Sequence, residues 1–475
     1  MEEKRKKGDD YEMKFDDLKD ELLSATDTGL KYAKSLDSDS EFEVFVYYQN
    51  KIDAKIEQGV VSAKDGAVAG TAVRAARGKQ VGFAVASGVS AERIKFAAQE
   101  ALSIIKSVKV EDDRFQGFAD PKGSGKEGAY HDDILALGTD DLIRNCELVI
   151  NEALAVEPRV KVVMSEAKVK WGGYAVGNSR GILEATRGCV NSIEANVYAV
   201  DGEERRSGIQ FDVSRDCICN PEGVGIKAAE EAVELLGAKK LDMTAKMTTI
   251  WTPMPAALYI LSSLAKSAVG QHVVDGVSPL CDRIGDTIAS KDFSLTDDGI
   301  NPSGIGTQSI DAEGLPQKKN SLIENGVLKN FLFDSYFGRA FDLDSTGNCS
   351  RGNEFFGSSP YEERPSVSAK WLEVAAGKKS EEDIISSIDG KAVMIRGFPM
   401  GISHSRIATG EFSCVAGSAI LVENGEVKGP LEPVSIAGNY YEGFKNLRAI
   451  GNNKETIPYG VSMPTLVMDG FSVVG

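Results

Sequence analysis

The chain offers few side chains for acid–base or metal chemistry, and its three histidines are the first to consider. His131, His272 and His404 lie far apart in the sequence. A protein zinc site needs three or four convergent ligands, and no second histidine stands near any of the three. We therefore predict no metal at His272 or His404. As neutral side chains, both residues remain candidates for contact with a substrate.

The seven cysteines indicate free thiols, because an odd number is spread over 475 residues. Cys217 and Cys219 are two apart on a predicted strand and would point to one face, where a metal would also need histidine or acid partners. No such cluster is visible, so buried or idle thiols are the favoured interpretation. Serine catalysis lacks support too, since no serine lies in a G-x-S-x-G turn.

A long apolar segment, Trp251 to Gly285, lies in the middle of the chain and would position any functional side chains there. Two prolines stand at its entrance, and Gly276 ends the pattern. Its apolar residues recur at three- and four-residue spacing, which predicts one helix with one apolar face. They are Leu258, Leu261, Leu264, Ala265 and Val269.

Within this helix the sequence KSAVGQ, residues 266–271, resembles the signature of the TldD/PmbA family of peptidases, whose active members carry HExxxH, usually HEAVGH. There two histidines bind zinc and the glutamate can serve as general base. The resemblance places Lys266 and Gln271 at the histidine positions and Ser267 at the glutamate position. Lysine repels Zn²⁺, glutamine is a poor ligand, and serine cannot deprotonate metal-bound water at neutral pH. A degenerate zinc site is therefore implied.

The resemblance covers about Phe42 to Gly475. Its most specific parts are the DDG, D-x-EG-x-P and LIENG elements within Asp297–Leu328, followed by STGNCSRG at Ser345–Gly352. Near the C-terminus, IGNNKETIP aligns Ile450 with a cysteine that supplies a further zinc ligand in active members. Isoleucine has no donor atom. Loss at all four positions fits the PmbA branch, also called TldE, whose members pair with a zinc-bearing TldD subunit.

For this chain the resemblance implies no bound cofactor, with zinc expected in a TldD-type partner subunit. The expected partners are that subunit, in a heterodimer or larger assembly, and a peptide or unfolded protein as substrate. The isolated chain could form a homodimer. A balance of 54 basic and 71 acidic residues, net charge −17, disfavours nucleic acid and membranes as partners. The charged N-terminus lacks the apolar core of a signal peptide, so we expect a cytoplasmic protein.

The order of the predicted elements indicates an α+β fold with two domains. Helices on a mostly antiparallel sheet form the N-terminal domain, and the β-rich C-terminal domain carries the degenerate HExxxH helix. The predicted divisions are a polar leader at residues 1–14, an N-terminal domain at 15–245 and a C-terminal domain at 246–475.

In the N-terminal domain, a helix is predicted from Phe15 to Leu36, and Phe42–Tyr48 alternates as a half-buried strand. Ser90 and Thr139 are predicted to cap two further helices. The glycine-rich segment from Lys109 to His131 is interpreted as a mobile connection, with a lid as the alternative.

In the C-terminal domain, two segments contain Asn-Gly between extended runs: LIENGVL (residues 322–328) and LVENGEV (residues 421–427). Each predicts a β-hairpin with a two-residue turn. Between them, a helix capped by Ser380 leads into a strand at Ala392–Ile395.

Three functions are compatible with these patterns. The leading hypothesis is a non-catalytic subunit of a cytoplasmic TldD/TldE-type metallopeptidase that completes a cleft for extended peptides. The first alternative is an independent peptidase that uses His272, His404 and an unidentified acid. The second is a homo-oligomeric protein that binds peptides without hydrolysis.

Overall fold

The computed structural model describes residues 13–107, 110–352 and 359–475. Most of the predicted leader at residues 1–14, and Lys109, lie outside these ranges. No helix within them is both long and apolar enough to cross a membrane.

One antiparallel sheet forms the base of the N-terminal part, as predicted. Its strands are β1 (Glu41–Glu57), β2 (Val60–Arg77), β3 (Gln80–Ser87), β4 (Val160–Asn178), β5 (Leu183–Asp201) and β6 (Glu204–Ser214). They lie in the order β3-β2-β1-β4-β5-β6. Every neighbouring pair is antiparallel.

Five of the described helices belong to this part, and the longer ones pack on the sheet through apolar residues. They are α1 (Leu18–Leu36), α2 (Ala91–Ser107), α3 (Asp132–Leu135), α4 (Thr139–Val156) and α5 (Val224–Glu234). Ser90 precedes α2 as predicted, and its Oγ accepts a hydrogen bond from the Arg93 N–H at 3.4 Å. The predicted cap at Thr139 is wrong, because Gly138 holds that position and donates its N–H to the Asp141 carboxylate at 2.9 Å.

The first half of β1 is buried on both faces. Val44 and Val46 face the helices, while Phe45 and Tyr47 pack against a C-terminal cluster that includes Ile310. The prediction of a half-buried strand is therefore wrong here. Its second face is covered by residues more than two hundred positions later, which local alternation cannot reveal.

The C-terminal part contains the remaining strands and helices. The strands are β7 (Thr244–Trp251), β8 (Leu295–Asp298), β9 (Lys319–Glu324), β10 (Val327–Leu328), β11 (Cys349–Ser350), β12 (Ser366–Val367), β13 (Leu372–Val374), β14 (Lys391–Met400), β15 (Glu411–Glu423), β16 (Glu426–Leu431), β17 (Val434–Asn439), β18 (Leu447–Ile450), β19 (Glu455–Ile457), β20 (Val461–Met463) and β21 (Leu466–Val474). The helices are α6 (Pro253–Ser262), α7 (Leu264–Ser267), α8 (Gly270–Val274), α9 (Ser335–Ala340), α10 (Glu381–Ser386) and α11 (Tyr440–Lys445).

Two larger sheets organise these strands. One has the order β10-β9-β8-β13-β20-β19. In the other, β14-β7-β21-β17-β15 close into a ring because β14 also pairs with β15, while β16 extends from β15 and β18 pairs with β21. The β14–β7 pair is parallel, and the other pairs of the ring are antiparallel. The predicted α+β class with a β-rich C-terminal part is confirmed.

Both predicted hairpins are present. Asn325 and Gly326 have φ of 49° and 81°, and Asn424 and Gly425 have φ of 51° and 82°. These are the left-handed conformations that such a turn requires at both central residues. Ser380 caps α10 as predicted, since its Oγ accepts from the Asp383 N–H at 3.2 Å.

The described part of the connection before α3 is anchored to both halves, contrary to the predicted mobile segment. Asp112 accepts a hydrogen bond from the Tyr336 hydroxyl at 2.9 Å. Arg339 Nη1 donates to the Gly117 carbonyl at 2.7 Å, and the Phe118 side chain is buried. Its glycines and charges suggested a solvated loop, but arginines distant in sequence bind its backbone carbonyls.

Candidate functional site

The segment with the degenerate signature is helical, but it is broken into α6, α7 and α8. The first break is at Ser263, with φ −121° and ψ −94°. The second is at Val269, which is extended, with φ −73° and ψ 127°, and bridges Leu332 in parallel. The predicted continuous helix is therefore wrong, because pairing with Leu332 takes Val269 out of the helical conformation.

Gly270 is required at the second break. Its N–H donates to the Leu332 carbonyl at 2.7 Å. A Cβ at this position would lie 2.4 Å from the Phe333 ring and 2.7 Å from the Leu332 oxygen. The AVG scaffold of the signature thus has a structural role in this chain, independent of any metal.

The buried face of this segment also differs from the prediction. Leu258, Leu261 and Val269 are only partly buried at the edge of the core, whereas Tyr259 and Ile260 are fully buried. Each break changes the direction in which the next helix presents its side chains. The apolar residues at three- and four-residue spacing therefore do not form one continuous buried face.

Lys266 and Gln271, which the resemblance aligns with zinc-binding histidines, lie on opposite sides of the second break. The Lys266 ammonium donates to the Ser403 carbonyl at 3.4 Å, and the Gln271 side chain is exposed. Within residues 13–107, 110–352 and 359–475, no group of three or more His, Cys, Asp and Glu side chains is arranged to hold a metal ion.

Ser267, at the position of the general base, is fully buried. Its Oγ donates to the Ser263 carbonyl at 2.9 Å and lies 2.7 Å from the Tyr441 hydroxyl. Burial raises the pKa of Tyr441, against a smaller opposite effect of the bond with Ser267. The serine hydroxyl therefore holds α7 against α11, and it is not placed to accept a proton from a water.

His272 and His404 are brought to the same region through Lys266. His272 Nδ1 lies 2.8 Å from the Lys266 carbonyl, and since a carbonyl oxygen only accepts, Nδ1 is the donor. His404 is exposed and directly follows Ser403, the residue that accepts from the Lys266 ammonium. Contact of either histidine with substrate stays a prediction.

Ile450, aligned with the cysteine ligand, lies on β18 opposite Leu466. Its side chain is buried in the same apolar cluster as Leu264 and Ala265. In the described structure no hydrogen bond links it to residues 266–272. An apolar core side chain, a lysine, a buried serine and an exposed glutamine do not fit zinc.

Cys217 and Cys219 do not form a pair of ligands. They follow β6 in irregular chain, contrary to the predicted strand. Cys217 is exposed, while Cys219 is buried with its Sγ 3.2 Å from the Asn191 carbonyl. Burial raises the pKa of the Cys219 thiol, which keeps it protonated and unreactive.

A buried charged cluster between the two halves was missed from the sequence. Glu43 on β1 is fully buried and accepts hydrogen bonds from Arg74 at 2.6 Å and from Arg351 at 2.6 Å. Burial alone would raise the pKa of Glu43, but the two guanidinium groups outweigh it and lower the pKa. The alternation in Phe42–Tyr48 places Glu43 on the predicted solvent side of the strand, so this role cannot be inferred from the pattern.

The D-x-EG element, Asp311 to Gly314, supplies the other side of the cluster. Asp311 accepts from the backbone N–H groups of Glu313, Leu315 and Cys349 at 3.0 to 3.1 Å, and burial raises its pKa to about 6. Glu313 accepts from the N–H of Ser335 at 2.7 Å. Burial and the neighbouring Asp311 raise its pKa well above the usual value. These contacts fix loops beneath the N-terminal sheet.

Comparison with known proteins agrees with this architecture. Residues 244–475 match the family described as "PmbA/TldA metallopeptidase C-terminal domain". The "Metalloprotease PmbA homolog" of Haemophilus influenzae is 24% identical over 443 residues, 92% of each chain. The "Metalloprotease TldD homolog" of Buchnera aphidicola subsp. Acyrthosiphon pisum is 24% identical over 446 residues, 86% of each chain.

The fold is also that of a solved relative. The crystal structure of TldE from Thermococcus kodakarensis superimposes with a TM-score of 0.85 at 24% identity, and the match covers 95% of this chain and 100% of that chain. The match of residues 244–475, the similarity to full-length relatives and the shared fold agree with one another. The C-terminal part of the chain therefore carries the domain of the PmbA/TldA metallopeptidases, and along most of its length the chain is similar to PmbA and TldD homologs and shares the fold of TldE.

Proposed function

We propose that this chain is the non-catalytic, zinc-less subunit of a cytoplasmic peptidase whose TldD-type subunit holds the zinc. The observation that carries the proposal is the arrangement of Lys266 and Ser267. One binds the Ser403 carbonyl and the other is buried against Tyr441. Both side chains serve structure at positions where hydrolysis would need a ligand and a base.

An open sheet edge supports extended peptides or unfolded segments as the substrate class. In the described structure, β3 pairs only with Gly70–Arg77 of β2. The Ala69 carbonyl still accepts from the Gly88 N–H at 2.8 Å, so residues 60–68 are the ones that pair with β1 alone. An extended peptide can add to such an edge by backbone hydrogen bonds, which do not depend on its sequence.

The test is to measure peptide cleavage by a TldD-type subunit with and without this chain, and by this chain alone. We expect cleavage to rise strongly in the mixture and to be absent from this chain by itself. A His272→Ala variant should still raise cleavage in the mixture, because it removes at most a substrate contact and no catalytic group. Equal cleavage by the TldD-type subunit with and without this chain would contradict the proposal.

The independent-peptidase alternative predicts the opposite pattern. Cleavage would then belong to the pure chain and disappear in the His272→Ala variant. The zinc content of the untagged chain also distinguishes the non-catalytic subunit from the independent peptidase. It is measured by elemental mass spectrometry after dialysis against a weak chelator. We expect essentially none, and about one zinc per chain would favour the independent peptidase.

A further inference from the structure

A cavity of about 270 Å³ lies where the segment between α5 and β7 crosses the edge strand β16. Lys239 forms a parallel bridge with Leu431. Its N–H donates to the Pro430 carbonyl at 3.0 Å, and its carbonyl accepts from the Glu432 N–H at 3.0 Å. No residue of the degenerate signature lines this cavity.

A β-bulge shapes one wall. In the β15–β16 pair, Leu421 lies opposite Gly429, whereas Val422 lies opposite Val427, so Lys428 is the extra residue. Gly429 has φ of +128°, a conformation that favours glycine. Bulges redirect side chains next to functional sites, and this one gives the cavity wall a lysine, Lys428.

Four lysines line the cavity, against a single lining carboxylate, Asp242. Lys391 and Lys428 have acidic neighbours, half-buried Glu423 at 3.8 Å and exposed Glu426 at 2.5 Å, so these two lysines add less positive charge to the site than unpaired ones would. The other two, Lys239 and Lys240, make no ion pair in the part of the chain that the structure describes. The lining residues thus carry four positive charges and one negative charge, whereas the whole protein has a net charge of −17.

The floor of the cavity is apolar. Leu241 and Leu431 are buried beneath it, and Met243 and Leu421 are half-buried at its sides. A cavity of about 150 Å³ accepts benzene, so this one has room for about ten heavy atoms. An ammonium group is a compact point charge without the planar fork of arginine, so it suits phosphate or carboxylate oxygens in many orientations.

We propose that this cavity is a binding site for a small organic dianion with an apolar body, either a phosphate monoester or a dicarboxylate. The lysines bind the anionic end, and the leucine floor contacts the apolar body. Because the lysines come from the segment after α5, from β14 and from β16, a bound ligand ties that segment to the sheet. This site is independent of the proposed peptidase role.

The experiment is isothermal titration calorimetry of the full chain with phenyl phosphate and with phthalate. Inorganic phosphate tests the contribution of the anionic group alone, and benzyl alcohol tests that of the apolar ring alone. We expect at least one of the two dianions to bind more tightly than either of these. A Lys239→Gln/Lys240→Gln variant should weaken that binding about tenfold or more, with the loss shrinking as salt is raised.

A matched control is Lys31→Gln/Lys34→Gln on the exposed side of α1, which changes the net charge by the same amount. It should bind as the wild type does. Binding of phenyl phosphate alone or of phthalate alone assigns the ligand to one of the two classes. No binding of either at millimolar concentration, equal weakening in both double variants, or inorganic phosphate binding as tightly as phenyl phosphate would each overturn the proposal.

Discussion

At the scale of single residues, the surroundings of Ser267 explain why a glutamate cannot simply be introduced at this position. Its hydroxyl is fully buried between the Ser263 carbonyl and the Tyr441 hydroxyl. The family's glutamate is larger and charged, and both properties conflict with that space.

Replacing Ser267 by glutamate should therefore destabilise the fold. We expect Ser267→Glu to lower the free energy of unfolding by about 3 kcal/mol or more, because it overpacks the site and buries a carboxyl group. The matched Ser267→Ala change removes only hydrogen bonds and should cost about 1 kcal/mol. Urea unfolding compares the two, and a glutamate variant as stable as the alanine variant would refute this packing argument.

Glu231 gives the protein a pH-dependent stability. It lies on α5, and its carboxylate accepts from the Ile209 N–H and the Gln210 amide, both at 3.3 Å. Burial raises its pKa to about 7, against about 4.3 in an unfolded chain. Between these values the folded protein binds more protons than the unfolded one, so stability falls as pH rises through this window.

The Glu231→Gln variant should lose this part of the pH dependence, which is on the order of 3 kcal/mol between pH 4.3 and 7. Urea midpoints measured from pH 5 to 8 give the difference between variant and wild type. Glu230 is exposed on the same helix, so Glu230→Gln should leave the profile unchanged. Parallel profiles for Glu231→Gln and the wild type would show that Glu231 is ionised in the folded state throughout.

At the scale of elements, two turn glycines allow the cost of backbone strain to be measured apart from the cost of a steric clash. Gly326 and Gly390 have φ of 81° and 77°. A Cβ at Gly326 would lie 2.4 Å from the Ala289 carbonyl oxygen, whereas a Cβ at Gly390 would meet nothing within 4 Å.

We expect Gly390→Ala to cost about 1 kcal/mol from strain alone. Gly326→Ala should cost at least about 1 kcal/mol more, because the β9–β10 turn must also move away from Ala289. Thermal unfolding measures the difference. Equal losses would mean that the turn yields without disturbing its neighbours.

Local patterns predicted elements well where local chemistry decides them. The Asn-Gly hairpins and the Ser380 cap are such cases, because the turn or cap residue itself selects the backbone conformation. The three-part helix was not predictable in this way. Its second break depends on pairing between Val269 and Leu332, and apolar spacing carries no information about a partner more than sixty residues away.

The candidate site shows the same limit. The resemblance identified Lys266, Ser267, Gln271 and Ile450 as altered positions, but only the structure places Ser267 against Tyr441 and Lys266 against Ser403. The cluster of Glu43, Arg74 and Arg351 needs three segments to converge, and no pattern within one segment indicates it.

At the scale of the whole molecule, contacts across the two halves hold the long connection in place. Arg339 donates to the carbonyls of Gly117 and Phe118 and to the Asp120 carboxylate at 2.9 Å. Arg114 in the same connection pairs with Asp275, which follows α8, at 2.5 Å. The division of the chain near residue 245 stays a prediction.

Removing this anchor should expose the connection to proteases. We expect Arg339→Ala to speed tryptic cleavage after Lys122 or Lys126 by about tenfold or more, equivalent to about 1.4 kcal/mol of easier local opening. Arg406 is exposed and pairs weakly with Glu411 at 4.0 Å, so Arg406→Ala is the matched control. An unchanged cleavage rate in Arg339→Ala would show that the other contacts hold the segment alone.

The closed ring of strands also sets an order of events during biosynthesis. β7 pairs with β21, which follows it by roughly two hundred residues, and at about 5–20 residues per second the ribosome takes on the order of 10–40 s to supply it. All six strands of the N-terminal sheet precede residue 215, so that sheet can pair co-translationally. We expect nascent β7, with its unsatisfied backbone edge and Trp251, to be bound by chaperones until β21 emerges.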